Sequence, residues 1–161
     1  MNRLWAPWRA EYVQSGEKAG CIFCVAANSA STADNHVLYA GRLSVVMMNK
    51  FPYNSGHLLI APARHVGDLP GLTDEEAADS HKLIVACLGA LSNVYKPHGF
   101  NIGLNLGRAA GAGIEAHLHT HVVPRWNGDV NFMPVLSDVK VMPEHIAAAY
   151  EKLKPFFSEK P

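Results

Sequence analysis

Apolar residues fall in short runs separated by turn formers over the first half of the chain, and at helical spacing beyond it. Val37 to Ala40, Leu43 to Met48 and His57 to Ala61 read as strands. The last two flank Pro52-Tyr53-Asn54-Ser55-Gly56, a turn-forming cluster, so a hairpin is expected there. The segment from Asn28 to Asn35, rich in Ala, Ser, Thr and Asn, reads as a loop. Thr73-Asp74-Glu75-Glu76 then has the form of a capping box, with Thr73 as N-cap and Glu76 at N3. Behind it Ala77 and, two turns on, Ile84 are followed by Leu88, Leu91 and Val94 at three- and four-residue spacing until Pro97 and Gly99 end the pattern, which predicts a long helix. Two more strands, Phe100 to Leu106 and Ala116 to Val123, are joined by a Gly- and Ala-rich loop from Gly107 to Gly113. A final helix is expected from Pro143 through Ile146, Tyr150 and Leu153 to about Pro155. Strands in hairpins, with helices between or after them, predict an α+β fold on an antiparallel sheet of about five strands.

Composition narrows this picture. The chain has 161 residues, 48% of them apolar and 17% charged, with Lys+Arg 14 against Asp+Glu 14. That length and balance predict a single domain over 1–161, carrying an N-terminal arm at 1–35, and give no basic field for nucleic acid. No apolar run approaches the roughly 18 to 20 residues of a membrane span, and the stretch Met1 to Arg9 is not a signal peptide, so a cytoplasmic protein is expected. Trp5, Trp8 and Arg9 read first as aromatic packing, with a base pocket or a partner subunit as the other reading.

The sharpest chemical signal is His117-Leu118-His119-Thr120-His121-Val122-Val123. On a strand, alternate side chains share a face, so the three imidazoles stand in a row, roughly 7 Å apart. Such a row is poor core material, because each ring brings two polar nitrogens that need partners. It suits an anion or a metal, and on its own does not choose between them. The loop Leu104 to Gly113 just before it is rich in small residues, whose backbone N–H groups can approach a phosphate closely. Together the two features point to phosphate chemistry.

Three cysteines are too few for a disulfide framework, and two of them form Cys21-x-x-Cys24. This pair fits metal binding first, with two packed thiols or a redox pair as the other readings. Cys87 lies beside the apolar stripe of the long helix and reads as packing. His36, His81, His98 and His145 read as surface or capping residues, and Asp129 as a turn residue.

The triad motif, with Gly56-His57-Leu58-Leu59-Ile60-Ala61-Pro62 and Pro124-Arg125-Trp126-Asn127-Gly128-Asp129-Val130-Asn131-Phe132 on its flanks, resembles the histidine-triad (HIT) family. Within that family it is closest to the branch of diadenosine tetraphosphate phosphorylases and hydrolases, and the likeness runs from about residue 3 to residue 146. The resemblance implies a HIT-like fold, a homodimer, and attack by His119 on the α-phosphorus of an adenine nucleotide through a covalent nucleotidyl-histidine. His121 would bond the phosphate or the bridging oxygen. Asn49 would bond the ribose, and Asn105 with the backbone of Gly111, Ala112 and Gly113 would face the phosphates; His57 would stand behind them or simply be a satisfied half-buried histidine. It also implies a structural zinc held by Cys21, Cys24, His65 and His117. The positions Ala112 and Gly113 depart from relatives that carry a hydroxyl or amide side chain there, and Thr120 stands where an apolar residue is usual. Diadenosine polyphosphates, adenylyl sulfate, nucleoside phosphoramidates and adenylylated lysine all fit this chemistry. A nucleoside phosphoramidase, a nucleotide-sensing module without turnover, and a metallohydrolase using all three histidines as ligands are the rival readings.

Overall fold

The structure is a computed structural model and describes residues 20–129 and 142–158. The expected roles of Trp5, Trp8 and Arg9, and the motif residues Val130 to Phe132, lie outside the described residues. Five antiparallel strands, β1 (Val37–Ala40), β2 (Ser44–Met48), β3 (Leu58–Pro62), β4 (Gly99–Leu104) and β5 (Thr120–Arg125), form one sheet in the order β1-β2-β3-β5-β4. Helices α1 (Ile22–Ala27), α2 (Asp74–Tyr95) and α3 (Ile146–Leu153) pack around it.

Every residue of β2 and β3 is buried, because both sheet faces are covered. Val46, Met48, Leu58, Ile60 and Val122 meet α2 and α3 through Leu83, Cys87, Leu91, Tyr150 and Leu153. Val45, Met47, Leu59 and Ala61 meet Phe23 and Ala26 of α1 on the other face. Each fully buried Leu or Ile in these layers contributes about 1.5–3 kcal/mol relative to exposure. The register Leu59↔His121 places His121 on the α1 side of the sheet.

The capping box forms as expected: Thr73 accepts from the Glu76 N–H at 3.2 Å and Glu76 accepts from the Thr73 N–H at 2.9 Å. Glu76 also takes a two-point bond from Arg64 at 3.0 and 2.8 Å, which pins the turn after β3 to the first turn of α2. At the other end of that helix, Gly56 sits against it with φ +76, and a Cβ there would lie 2.9 Å from Leu91 Cδ2 and 3.0 Å from Tyr95 Cε2.

Three boundaries differ from expectation. β5 begins at Thr120, not Ala116, because the ladder partner opposite Leu118 would be Pro62, which has no N–H. The Pro62 carbonyl bonds the His117 ring instead, and the Leu118 N–H bonds Val66. The strand expected to reach Leu106 stops at Leu104. The last helix begins at Ile146, with His145 as N-cap accepting from the Ala147 N–H, rather than at Pro143. Helix α1 was not anticipated: its six residues are too few to display a period, and no side chain caps it.

Candidate functional site

The hairpin end of β2–β3, the approach to β5 and the short α1 converge on the sheet face that carries the histidines. Although His117 and His119 precede the strand, and His117 sits in a bend, Phe23 packs against both rings and the His119 ring against that of His121. His117, His119 and His121 stay on one side, while Leu118 and Thr120 are buried on the other.

His117 turns away from its two companions. Its Nε2–H donates to the Pro62 carbonyl at 2.8 Å, which leaves the Nδ1 lone pair facing Cys21 Sγ at 3.1 Å and Cys24 Sγ at 3.6 Å. His65 Nδ1 lies 3.2 Å from Cys24 Sγ, and one ligand atom from each of the four residues falls within 4.8 Å of all the others. Thus the four ligands expected from the sequence are brought together. Burial pushes His117 toward the neutral, ligating form, while burial and the adjacent Cys21 thiol push Cys24 upward. Two neighbouring thiols resist ionising together, and a cation between them removes that obstacle. Two sulfurs and two ring nitrogens at this spacing fit a tetrahedral zinc ion with no open position.

His119 Nδ1–H donates to the His117 carbonyl at 2.8 Å, so its Nε2 carries the lone pair. Burial holds its pKa below the ordinary imidazole value and keeps the ring neutral near pH 7. Phe23 lies against it, with ring centroids 4.9 Å apart and planes 30° apart.

His121 stands 5.0 Å from His119, centroid to centroid. Behind it, the fully buried His57 accepts at Nδ1 from the Tyr53 N–H at 3.1 Å and from the Asn49 side-chain amide at 3.3 Å. The His57 proton is therefore on Nε2, which donates to His121 Nδ1 at 2.9 Å. This leaves the His121 proton on Nε2. The Tyr53 ring covers both, 4.7 Å from His57 and 5.8 Å from His121.

The remaining expected site residues divide. Asn49 is a hairpin brace: its Oδ1 accepts from the Phe51 N–H at 2.9 Å while its amide nitrogen reaches His57. Asn105 lines a cleft of about 460 Å³ together with His121, Tyr53, Asn101, Gly103 and Arg125. In the glycine-rich loop the Gly111 and Ala112 N–H groups turn inward, onto the carbonyls of Arg108 at 2.8 Å and Gly107 at 3.3 Å. Gly107 and Gly111 have φ +76 and +87, values that favour glycine there.

Three features escaped the sequence reading. Phe23 and Tyr53 cover the histidines, and neither position has a signal beyond its aromatic type. Asp129 is more than a turn residue: it takes a two-point bond from Arg125 at 2.6 and 2.9 Å and a bond from Asn54 at 2.8 Å. The guanidinium holds its carboxyl well below the usual carboxylate range. Arg125 also donates to Asn101 at 2.6 Å, closing the far wall of the cleft.

A five-stranded antiparallel sheet with a row of imidazoles entering its fifth strand defines a histidine-triad protein. The chain belongs to the HIT domain family, whose model matches residues 30–128. It is 38% identical, over 89% of its length and 78% of the relative's, to a Mycobacterium tuberculosis protein named AP-4-A phosphorylase. It is 32% identical to the asymmetrical bis(5'-nucleosyl)-tetraphosphatase of Schizosaccharomyces pombe, over 59% of this chain and 52% of that one. A zinc-bound histidine triad family protein from Mycobacterium smegmatis shares the fold, with a TM-score of 0.66 and 24% identity over 85% of this chain and 92% of that one. No helix among the described residues is long and apolar enough to cross a membrane.

Proposed function

We propose that the chain is a nucleotide-processing enzyme that cleaves adenylyl substrates, diadenosine tetraphosphate foremost, at the α-phosphate through a nucleotidyl-His119 intermediate. The observation that carries this reading is the state of His119: Nδ1–H is committed to the His117 carbonyl, and burial keeps the ring neutral, so Nε2 is a prepared nucleophile. Its attack forms a P–N bond as the α-phosphorus to oxygen bond breaks. The leaving polyphosphate departs as an anion, taking a hydrogen bond from His121 Nε2–H, whose orientation His57 sets. In the second step the acceptor attacks the same phosphorus and the P–N bond breaks, releasing neutral His119. Inorganic phosphate as acceptor gives ADP; water gives AMP and one proton.

The two relatives named for dinucleoside polyphosphate chemistry support this choice. So does the cleft past His121, which has room for a bulky leaving group. Asn49 is assigned to the ribose, and Asn105 with the Gly113 end of the loop to the phosphates, since the Gly111 and Ala112 N–H groups are taken up by the Arg108 and Gly107 carbonyls. Cys21, Cys24, His65 and His117 are assigned as ligands of a structural zinc, which when bound neutralises the two thiolates and ties α1 to the approach of β5. A second copy of the chain is the proposed partner: β4 is an unpaired sheet edge among the described residues, with Ile102, Leu104 and the nearby Leu106 exposed.

Incubation with diadenosine tetraphosphate, with and without inorganic phosphate, tests the reading. ADP plus ATP forming only with phosphate marks a phosphorylase, and AMP in either condition marks a hydrolase. Nucleotide binding with no product in either would overturn diadenosine tetraphosphate as substrate.

A further inference from the structure

One of the two residues between the thiols of the metal cluster, Phe23, is also the one that lies against the proposed nucleophile. Phe23 belongs to α1, with Cys21 as the N-cap of that helix and Cys24 one position beyond the ring. Its side chain is 1% exposed, stacked on His119 at 4.9 Å and tilted onto His117 at 5.1 Å. Cys21 and Cys24 face His117 and His65, so the backbone on either side of Phe23 is held by the cluster.

An imidazole on a β-carbon has a soft, roughly two-fold torsion. Rotating the His119 ring out of its present plane moves Nδ1 off the His117 carbonyl and Nε2 off its line. It breaks the bond to the His117 carbonyl and carries the lone pair away from the approach of a phosphate. A hydrogen bond fixes one edge of the ring. The flat face of Phe23 fixes its plane, and the His121 ring stands edge-on 5.0 Å away at 62°.

We infer that Phe23 is the positioning residue for His119, setting the plane in which Nε2 meets the α-phosphorus and acting on the covalent step rather than on nucleotide affinity. This rests on His119 as nucleophile. It also makes the Cys-x-x-Cys segment part of the machinery that orients the nucleophile, in addition to holding metal.

Phe23→Leu keeps an apolar side chain and removes the flat face. In single-turnover reactions with diadenosine tetraphosphate, the rate of His119 nucleotidylation is expected to fall ~10- to 100-fold. The Kd for adenine nucleotide should change less than about twofold and the metal content not at all. Phe23→Tyr, which keeps the ring, should recover most of the rate. Nitrogen NMR of the ligand-free protein gives a readout that needs no turnover. Wild-type His119 should show one ring state with Nδ1 protonated and Nε2 bare, and Phe23→Leu a mixture. An unchanged rate and ring spectrum in Phe23→Leu overturns the inference, as does a Kd that weakens in step with the rate or a Phe23→Tyr protein as slow as Phe23→Leu. If Phe23→Leu is not recovered folded, Phe23→Met carries the same comparison. A wild-type protein that forms no nucleotidyl-histidine refutes the nucleophile assignment, and the ring spectra still decide what Phe23 does.

Discussion

The His117 carbonyl accepts the Nδ1–H of His119 at 2.8 Å while the His117 ring faces Cys21 and Cys24. One residue thus serves two centres, with its backbone setting the tautomer of His119, the proposed nucleophile, and its side chain belonging to the cluster. Removing the His119 ring leaves the cluster intact. His119→Ala is therefore expected to lower turnover by on the order of 10³-fold or more, with folding, metal content and nucleotide affinity retained. Quenched-flow product analysis and calorimetric titration check this; loss of binding together with activity would refute the assigned role.

Metal removal should act on stability before chemistry. Cys24→Ser, or treatment with a strong chelator, is expected to lower Tm by at least about 5 °C, since each kcal/mol lost shifts a domain of this size by roughly 2–4 °C. Elemental analysis of the purified protein should find zinc, and a metal-free protein with an unaltered melting curve would contradict the ligand assignment.

Stability at low pH should depend on Glu76. Its carboxyl is held down to about 2 by the Arg64 guanidinium and the Thr73 N–H, against 4.5 without them. Because the folded value is the lower one, its contribution is complete above about pH 4.5 and fades as the pH falls toward 2. Glu76→Gln should lower Tm by roughly 3–8 °C at pH 7 and by much less near pH 2. A gap that persists unchanged across that range would show that the charge is not what matters.

Thiol reactivity should appear in a fixed order. Cys87 is fully buried and burial pushes its thiol up, so it should react with a disulfide reagent only on unfolding. Cys21 and Cys24 should become reactive once metal is withdrawn, and rapid labelling of Cys87 in the native protein would contradict the packing described.

The exposed edge strand gives a prediction about assembly. Replacing Ile102 and Leu104 together by Glu should halve the mass measured by light scattering, without changing the melting curve of the remaining monomer by more than a few degrees. A wild-type protein already monomeric at micromolar concentration would refute the proposed homodimer.

The sequence was legible where local rules and tertiary packing agree. The capping box, the long helix and the span Val37–Ala40 follow from neighbours in the chain. The four cluster residues were named through family resemblance and are found together. Legibility failed where a distant residue decides. The start of β5 is set by Pro62 on another strand, and α1 exists because Phe23 and Ala26 are buried against the sheet. The inward turn of the Gly111 and Ala112 N–H groups follows from how the loop closes on itself. Phe23 and Tyr53 take their roles from what they lie against, which no spacing reports.

The contact of Gly56 with Leu91 and Tyr95 bears on substrate admission. That turn leads into His57 with no room even for a methyl group against α2, so the hairpin cannot swing outward as a gate without unpacking the helix. One bank of the cleft is therefore an anvil of fixed shape. On the proposed chemistry, accommodation of leaving groups of different bulk falls to the Gly107–Gly113 loop on the opposite bank, and the range of substrates accepted should track changes there rather than in the hairpin.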